Sequence, residues 1–208
     1  REDANRRNNK ALEKLKSPLV TIPTRFDGPA GAFPQRDMVV ERELLLKKGA
    51  RVMTIVNDSR GRFQNGSMGT VREIVFDGEG NAAFVRVSLD AAGMDVEIAP
   101  YTWEVKNPEC VNCGNDMKIR YDKVSTYSQF PLRLAWASTI HKSQGATYGA
   151  VNISVDHIWE WGQLYVALSR VRSLSSLYLY SPLKRENVKV SQEVIDFYEH
   201  ISDKSRIM

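Results

Sequence analysis

The chain has 208 residues, of which 42% are hydrophobic and 26% charged, with a net charge of +4 and two cysteines. This composition excludes a disordered chain and a disulfide-rich secreted domain, and no apolar run reaches the roughly 20 residues of a membrane-spanning helix. A mildly basic chain is compatible with a polyanionic partner but does not establish one.

The chain opens on the polar stretch REDANRRNNK, which has no apolar signal-peptide centre and no initiator Met. We therefore expect an intracellular protein, cytoplasmic if bacterial or viral, and a chain that is part of a longer one. Residues 1–16 are predicted to form a helix, because Ala4, Leu12 and Leu15 recur at near-helical spacing. We expect this helix to pack on the sheet of the C-terminal third.

Five short runs of β-branched residues follow from about Leu44: ARVMTIVND, GSMGTVREIVFD, NAAFVRVSLD, MDVEIAP and YTWEVKN. Between them, Asn65-Gly66 and Asp77-Gly78 are dipeptides that tolerate the positive φ of tight turns. Five strands with no helix between them predict a small β-barrel, because a sheet of this size must close to protect its edges.

The C-terminal third alternates between strand and helix patterns. In order, these are the strand LRLAWAS, the short helix or turn TIHKSQG, the strand AVNISVD, the helix WGQLYVALSRV, the strand SLYLYS and the helix SQEVIDFYEHI. Such alternation is typical of an α/β domain with a mostly parallel sheet. The sequence thus predicts an α/β domain with an inserted β-barrel.

Both cysteines, Cys110 and Cys113, lie in the segment ECVNCGND. A CxxC pair can supply half of a zinc site or a redox couple, and a metal- or redox-dependent regulator is one alternative function. We favour a plain loop with reduced thiols and predict no metal site. Pro108 and Gly114 flank the pair, and no second pair stands at zinc-ligand spacing.

Four consecutive polar residues follow the strand that is predicted to end near Ala137. They are His141, Lys142, Ser143 and Gln144. Helix capping explains one or two such residues, whereas ligands of α/β sheets gather beyond the C-terminal ends of the strands. Amide groups, a hydroxyl and a lysine at a helix start suit phosphate oxygens, so we favour a phosphate-binding function.

A second polar group lies in GQLYVALSRVRS, Gly162–Ser173, where Gln163 and Arg170 are two helical turns apart and share a face. A fixed guanidinium suits bidentate binding of a phosphate or carboxylate, whereas we interpret Arg172 as solvent-exposed. The apolar positions form one stripe that we expect to face the core: Leu164, Leu168 and Val171.

The segments LAWASTIHKSQGAT and GQLYVALSRVRSLSSLYL resemble motifs V and VI of superfamily 1 DNA helicases, in the RecD/Pif-like branch that includes Dda. Upstream, KKGARVMTIVND and FQNGSMGTV are similar to the SH3-like barrel inserted in the second motor domain of that branch. NRRNNKALEKL is similar to the end of the motif IV region, and KVSQEVIDFY to the end of the domain. The resemblance covers nearly the whole chain.

This resemblance implies an α/β fold, with a partial RecA-like parallel-sheet motor domain at 1–36 and 126–208 and an SH3-like β-barrel at 37–125. Arg170 corresponds to an arginine finger that would reach the γ-phosphate of ATP. The residues implied to help bind the nucleotide are Gln163, Tyr165, Gly145 and Thr147. The residues implied to touch the single-stranded DNA backbone are His141, Lys142, Ser143 and Gln144.

The implied activity is that of an ATP-dependent DNA helicase, acting in repair or recombination, that moves in the five-prime to three-prime direction on single-stranded DNA. ATP and Mg²⁺ would be bound mainly by the first motor domain, which would be a partner beside single-stranded DNA, with RNA left open and no membrane. Neither a GxxxxGK[ST] motif nor an acidic magnesium-binding pair occurs in the chain, so we expect it to be inactive alone.

Two alternatives stay open at this point. One is a stand-alone nucleic-acid-binding module without ATPase activity, and the other is a RecD-like subunit of a recombination nuclease complex. Three aromatic residues, Trp103, Phe63 and Trp136, are candidates for base stacking, although a place in the core is the commoner role of such residues.

Overall fold

The computed structural model of the chain describes residues 2–28, 38–91, 93–111, 118–156 and 158–205. The chain forms two compact units, Arg1–Ala137 and Ser138–Met208. Among the described helices, none is long and apolar enough to cross a membrane. We predicted a domain formed by 1–36 and 126–208, with 37–125 inserted in it. The division into compact units does not test these boundaries, which stay a prediction.

Helix α1, Glu2–Glu13, opens the first unit. Acidic residues occupy its first turn and Lys10 its last turn, so both ends complement the helix dipole. Its inward face carries Asn8 and Leu12, and Leu12 belongs to the core of the β-rich unit. Our expectation that the helix packs on the parallel sheet is wrong, because an apolar stripe predicts burial but does not identify the partner.

The rest of the first unit consists of strands. They are β1 (Val20–Pro23), β2 (Arg25–Asp27), β3 (Glu43–Leu46), β4 (Arg51–Thr54), β5 (Met68–Phe76), β6 (Ala82–Leu89), β7 (Asp95–Ile98), β8 (Tyr101–Val111), β9 (Lys118–Gln129) and β10 (Leu132–Leu134). An antiparallel five-stranded sheet has the order β10-β4-β5-β6-β7, a second antiparallel sheet the order β2-β9-β8, and β1 pairs with β3. Each of the five predicted runs contains one strand, β4 to β8.

Strand β7 shows how the sequence pattern sets the faces of the sheet. Val96 and Ile98 are buried, while Asp95 and Glu97, which alternate with them, are exposed, as the two-residue period of a strand requires. On the outer face Glu97 lies opposite Arg86, whose Nη2 is 3.0 Å from Glu97 Oε1. The alternation therefore places apolar side chains in the core and charges in water.

The larger apolar cluster of the first unit receives side chains from α1 and from most strands. Leu46 and Val85 are completely buried there. A smaller cluster consists of Met38, Val40 and Tyr127. Gly69 allows β5 and β6 to approach closely, because a Cβ at this position would lie 2.5 Å from Val87 Cγ1 and 2.7 Å from the Ser88 carbonyl oxygen.

Strand β10 differs from the prediction in both its partner and its length. It ends at Leu134 and runs antiparallel to β4, with Leu132 opposite Thr54. We expected it to join the parallel sheet and to end near Ala137. A short apolar run fits either sheet, and only long-range packing decides between them.

Strands β8 and β9 form a long antiparallel hairpin, in which β9 was not predicted. Its segment KIRYDKVSTYSQ mixes charged and polar residues with few apolar ones, so it gives a weak strand signal. Cys113 and the side chain of Cys110 lie outside the described residues, and the interpretation of the CxxC pair stays a prediction.

The second unit contains a parallel strand pair, β11 (Val151–Ile153) and β12 (Leu177–Leu179), joined by a crossover that includes helix α2 (Gln163–Leu168). Helix α3 (Gln192–Ser205) closes the unit. Its core consists of Ile153, Val155, Ile158, Leu164 and Ala167. A strand, a helix and a parallel strand in this order confirm the predicted α/β class.

Candidate functional site

The residues predicted to bind phosphate form a tight turn at the start of the second unit. A single 3-10 turn spans His141–Ser143, and the Ser143 amide donates to the carbonyl oxygens of Thr139 and Ile140, each at 3.1 Å. Gly145 then takes φ 77°, a left-handed conformation that a side chain would strain. We call residues 141–146 the polar turn.

Most side chains of the polar turn reach solvent. His141, Lys142 and Gln144 are exposed, as is Thr147 just beyond. Ser143 is the exception, because it is buried and its hydroxyl donates to the Ile140 carbonyl oxygen at 2.7 Å. The turn therefore presents two titratable or charged groups and one amide to a ligand, while the serine hydroxyl stabilises the turn itself.

Arg170 lies just after α2 and points back at the polar turn. Its Nη1 donates to the carbonyl oxygens of Ser143 at 3.3 Å and Ala146 at 3.1 Å. Its Nε donates to the Val166 carbonyl oxygen at 2.7 Å, and its Nη2 to the Ser169 hydroxyl at 2.8 Å. One planar guanidinium thus connects the end of the helix to the backbone of the polar turn.

Gln163, at the start of α2, is buried and serves the preceding turn. Its Oε1 accepts hydrogen bonds from the amides of Trp159 at 2.9 Å and Glu160 at 3.2 Å. Gly162 permits this reversal with φ 70°. We predicted that Gln163 and Tyr165 contact the nucleotide from this helix. Tyr165 is 76% exposed and can reach a ligand, whereas Gln163 is buried.

The turn before α2 also contacts the polar turn. His141 Nε2 lies 3.3 Å from Glu160 Oε2, and the His141 ring lies 5.8 Å from the Trp159 ring. Both side chains are about half exposed, so this contact contributes at most about 1 kcal/mol to stability. This contact helps to orient the polar turn, which is held by Glu160 before α2 and by Arg170 after it.

The aromatic residues predicted for base stacking have different environments. Phe63 belongs to the core of the first unit, which confirms the structural interpretation for that residue. Trp103 stacks on Tyr127 at 5.3 Å and meets Tyr101 edge-on at 4.8 Å, and Trp136 is exposed.

Sequence reasoning overlooked Trp159 and Glu160, the two residues that touch His141. The signal was present, since two tryptophans flank an acidic residue immediately before Gly162 in the segment IWEWG. In the described part of the chain, no group of three or more His, Cys, Asp or Glu could hold a metal ion.

The sequence is similar to several curated helicases, although no family model matches it. It is 31% identical over 206 residues to the ATP-dependent DNA helicase Pif1 of Campylobacter jejuni, covering 92% of this chain and 44% of that protein. The same enzyme of Bdellovibrio bacteriovorus is 33% identical over 199 residues, which are 95% of this chain and 41% of the relative. The chain thus spans less than half the length of these relatives.

Solved structures give the same picture. The crystal structure of Bacteroides sp. Pif1 in complex with ADP-AlF4 matches with a TM-score of 0.78 and 30% identity, covering 98% of this chain and 44% of that one. The crystal structure of Bacteroides Pif1 bound to single-stranded DNA matches with a TM-score of 0.75 and 29% identity, with the same coverage of 98% and 44%.

Proposed function

Because the chain belongs to the Pif1 family of DNA helicases, we propose that it is the second motor domain, with its inserted barrel, of an ATP-dependent enzyme that moves five-prime to three-prime on single-stranded DNA. The complete enzyme would act in DNA repair or recombination inside the cell. The chain itself would supply one wall of the ATP site and part of the DNA-binding surface, beside a first motor domain of the same polypeptide.

The observation that carries this proposal is the pair of hydrogen bonds from Arg170 to the Ser143 and Ala146 carbonyl oxygens. A guanidinium nitrogen that donates to these carbonyls cannot donate the same protons to a phosphate. ATP binding would therefore draw Arg170 away from the polar turn and release its backbone. Arg170 would then stabilise the charge that develops on the γ-phosphate during transfer.

The polar turn would hold the strand through its phosphates, since His141, Lys142 and Gln144 reach solvent. Gly145 and Thr147 would continue this surface toward the nucleotide. When Arg170 leaves the turn, the contacts of the turn with DNA change, and hydrolysis reverses the exchange. Nucleotide state and DNA grip would thus be coupled through one side chain.

The nucleotide would be bound mainly by the first motor domain. From this chain Tyr165 would contact the nucleotide directly, whereas Gln163 would act by holding the turn that precedes α2. Mg²⁺ would likewise be bound mainly by the first motor domain.

The test is Arg170→Ala in the full-length protein, with Arg172→Ala as a matched control because Arg172 is exposed two residues away. Loss of an arginine finger lowers turnover by about 10³-fold or more. We expect DNA-stimulated ATP hydrolysis to fall by that amount in Arg170→Ala while nucleotide affinity stays within a few-fold, and the control to match the wild type.

Wild-type turnover in Arg170→Ala would remove the finger role. Direction is tested separately with partial duplexes. We expect unwinding of a duplex with a five-prime single-stranded tail, and unwinding of only the three-prime-tailed duplex would contradict the proposed polarity.

A further inference from the structure

The turn before α2 exposes a tryptophan that the proposed function does not use. Trp159 is 52% exposed, and Trp161 on the same turn is 67% exposed. An indole is a large apolar ring, and such rings in water on a surface commonly mark a binding site.

Trp159 is exposed but held firmly in place. Its amide donates to the buried Gln163 Oε1 at 2.9 Å, and its carbonyl oxygen accepts from Lys189 Nζ at 3.4 Å. The Gly162 amide donates to the Lys189 carbonyl oxygen at 3.0 Å, which fixes the other end of the turn. A ring with a fixed backbone loses little conformational entropy when a ligand packs on it.

The neighbours of Trp159 are polar and include a lysine and an imidazole. His141 lies beside it with a ring distance of 5.8 Å, and Glu160 holds that imidazole at 3.3 Å. Lys189 lies at the Trp159 carbonyl oxygen, and Lys142 follows His141 directly in the polar turn. A border of basic hydrogen-bonding groups suits a polyanion better than the apolar surface of another protein.

We propose that Trp159, supported by His141, is a stacking platform for one base of the single strand whose phosphates the polar turn holds. This inference rests on the proposed function and adds a base-binding subsite to it. Stacking needs only the π-face that every base has, so the platform would take any base and would not read sequence. It would fix the strand in register with the phosphate contacts next to it.

The experiment compares two strands of equal length in binding assays with the full-length protein, oligo(dT) and an abasic strand that keeps the phosphates but lacks bases. Loss of one stacked base weakens binding by about tenfold. We expect Trp159→Ala to bind oligo(dT) about tenfold more weakly, Trp159→Phe to recover most of this loss, and both variants to bind the abasic strand like the wild type.

Trp161→Ala is the matched control, because Trp161 has similar exposure on the same turn but makes no ring contact with His141 within the described residues. It should bind both strands like the wild type. If Trp159→Ala binds oligo(dT) like the wild type, or loses affinity for both strands equally, the platform is refuted while strand binding by the protein stands. A wild-type protein that binds neither strand would refute the proposed function as well.

Discussion

The two units of the chain are stabilised in different ways. Among the residues that the structure describes, fifteen buried apolar residues form the larger cluster of the first unit, whereas the cluster of the second unit has five. With so small a core, side chains that bind backbone groups, such as Arg170 and Gln163, carry a larger share of the contacts that hold the second unit. A core resists change as a whole, but hydrogen bonds can be exchanged singly, and this suits the unit proposed to respond to nucleotide.

The apolar surface of α3 strengthens this contrast. Its exposed side chains include Val194, Phe197, Tyr198 and Ile201. Helix α3 therefore contributes less burial to its unit than its composition would allow. We expect the first unit to dominate the stability of the chain.

Leu→Ala substitutions at matched sites in the two cores test this difference, and they have the largest expected effect. Leu46 is fully buried in the large cluster, and Leu164 lies in the small one with 7% exposure. We expect Leu46→Ala to lower the free energy of unfolding by about 4 kcal/mol and Leu164→Ala by about 2–3 kcal/mol, because a site near the surface can collapse around the cavity.

Urea denaturation followed by hydrogen exchange of peptides from each unit measures both effects. Exchange should accelerate most in the first unit for Leu46→Ala and in the second for Leu164→Ala. Equal losses of stability in the two variants would show that the cores are equivalent, against the comparison.

The next prediction concerns a loop of the first unit that is itself held by polar contacts. Asp58 Oδ2 accepts from the Arg62 amide at 3.1 Å and Arg62 Nε at 2.9 Å, and from the Arg60 amide at 3.2 Å. The hydrogen bonds to the Arg62 side chain hold the pKa of Asp58 well below its ordinary value, against the opposing effect of burial. Asp58→Asn should cost about 2 kcal/mol of stability at neutral pH.

The pH dependence follows from that lowered pKa. Since the folded-state pKa lies below the ordinary value of 3.8, the advantage of the wild type over Asp58→Asn is complete above pH 3.8 and is lost as the pH falls toward the folded-state pKa. Urea denaturation of both proteins between neutral pH and pH 2.5 measures the difference. A constant difference over this range would contradict the role of the carboxylate.

The smallest effect is expected at Gln163, and it tests how the polar contacts of the second unit work. Gln163→Ala removes the acceptor for the Trp159 and Glu160 amides and should cost about 1 kcal/mol. Gln163→Glu keeps an acceptor oxygen and should be closer to the wild type. Tryptophan fluorescence and thermal denaturation report the change, and a larger loss in Gln163→Glu than in Gln163→Ala would indicate that the amide NH₂ group matters more.

Local signals in the sequence were read correctly where neighbouring residues decide the structure. The spacing of Leu12 in α1, the turn at Asn65-Gly66 with Gly66 at φ 92° and the alternation of Val96 and Ile98 in β7 all depend on short-range chemistry. At Asp77-Gly78 the left-handed residue is instead Gly80, with φ 81°. The α/β class and the family resemblance follow from long ordered segments, and the comparisons bear them out.

Partners distant in the sequence were not predictable in this way. Nothing in the pattern of LRL selects β4 over a parallel strand as the partner of β10. Similarly, Asn8 holds α1 to the segment after β10. Its Oδ1 accepts from the Ala137 amide at 2.8 Å and its Nδ2 donates to the Ala137 carbonyl oxygen at 2.9 Å. The orientation of Arg170 likewise depends on the Ser143 and Ala146 carbonyl oxygens, which lie more than twenty residues away in the sequence and meet it only in the folded chain. Residue type indicates the capacity for a hydrogen bond but not its partner.

The exposed charges of β7 have a consequence for molecules in crowded solution. This strand is the last in the five-stranded order, and in the described part of the chain no further strand pairs with its outer side. Asp95 and Glu97 face water from it. If a strand from a second molecule paired with β7, both carboxylates would lose part of their hydration. The two charges therefore protect this edge against edge-to-edge aggregation.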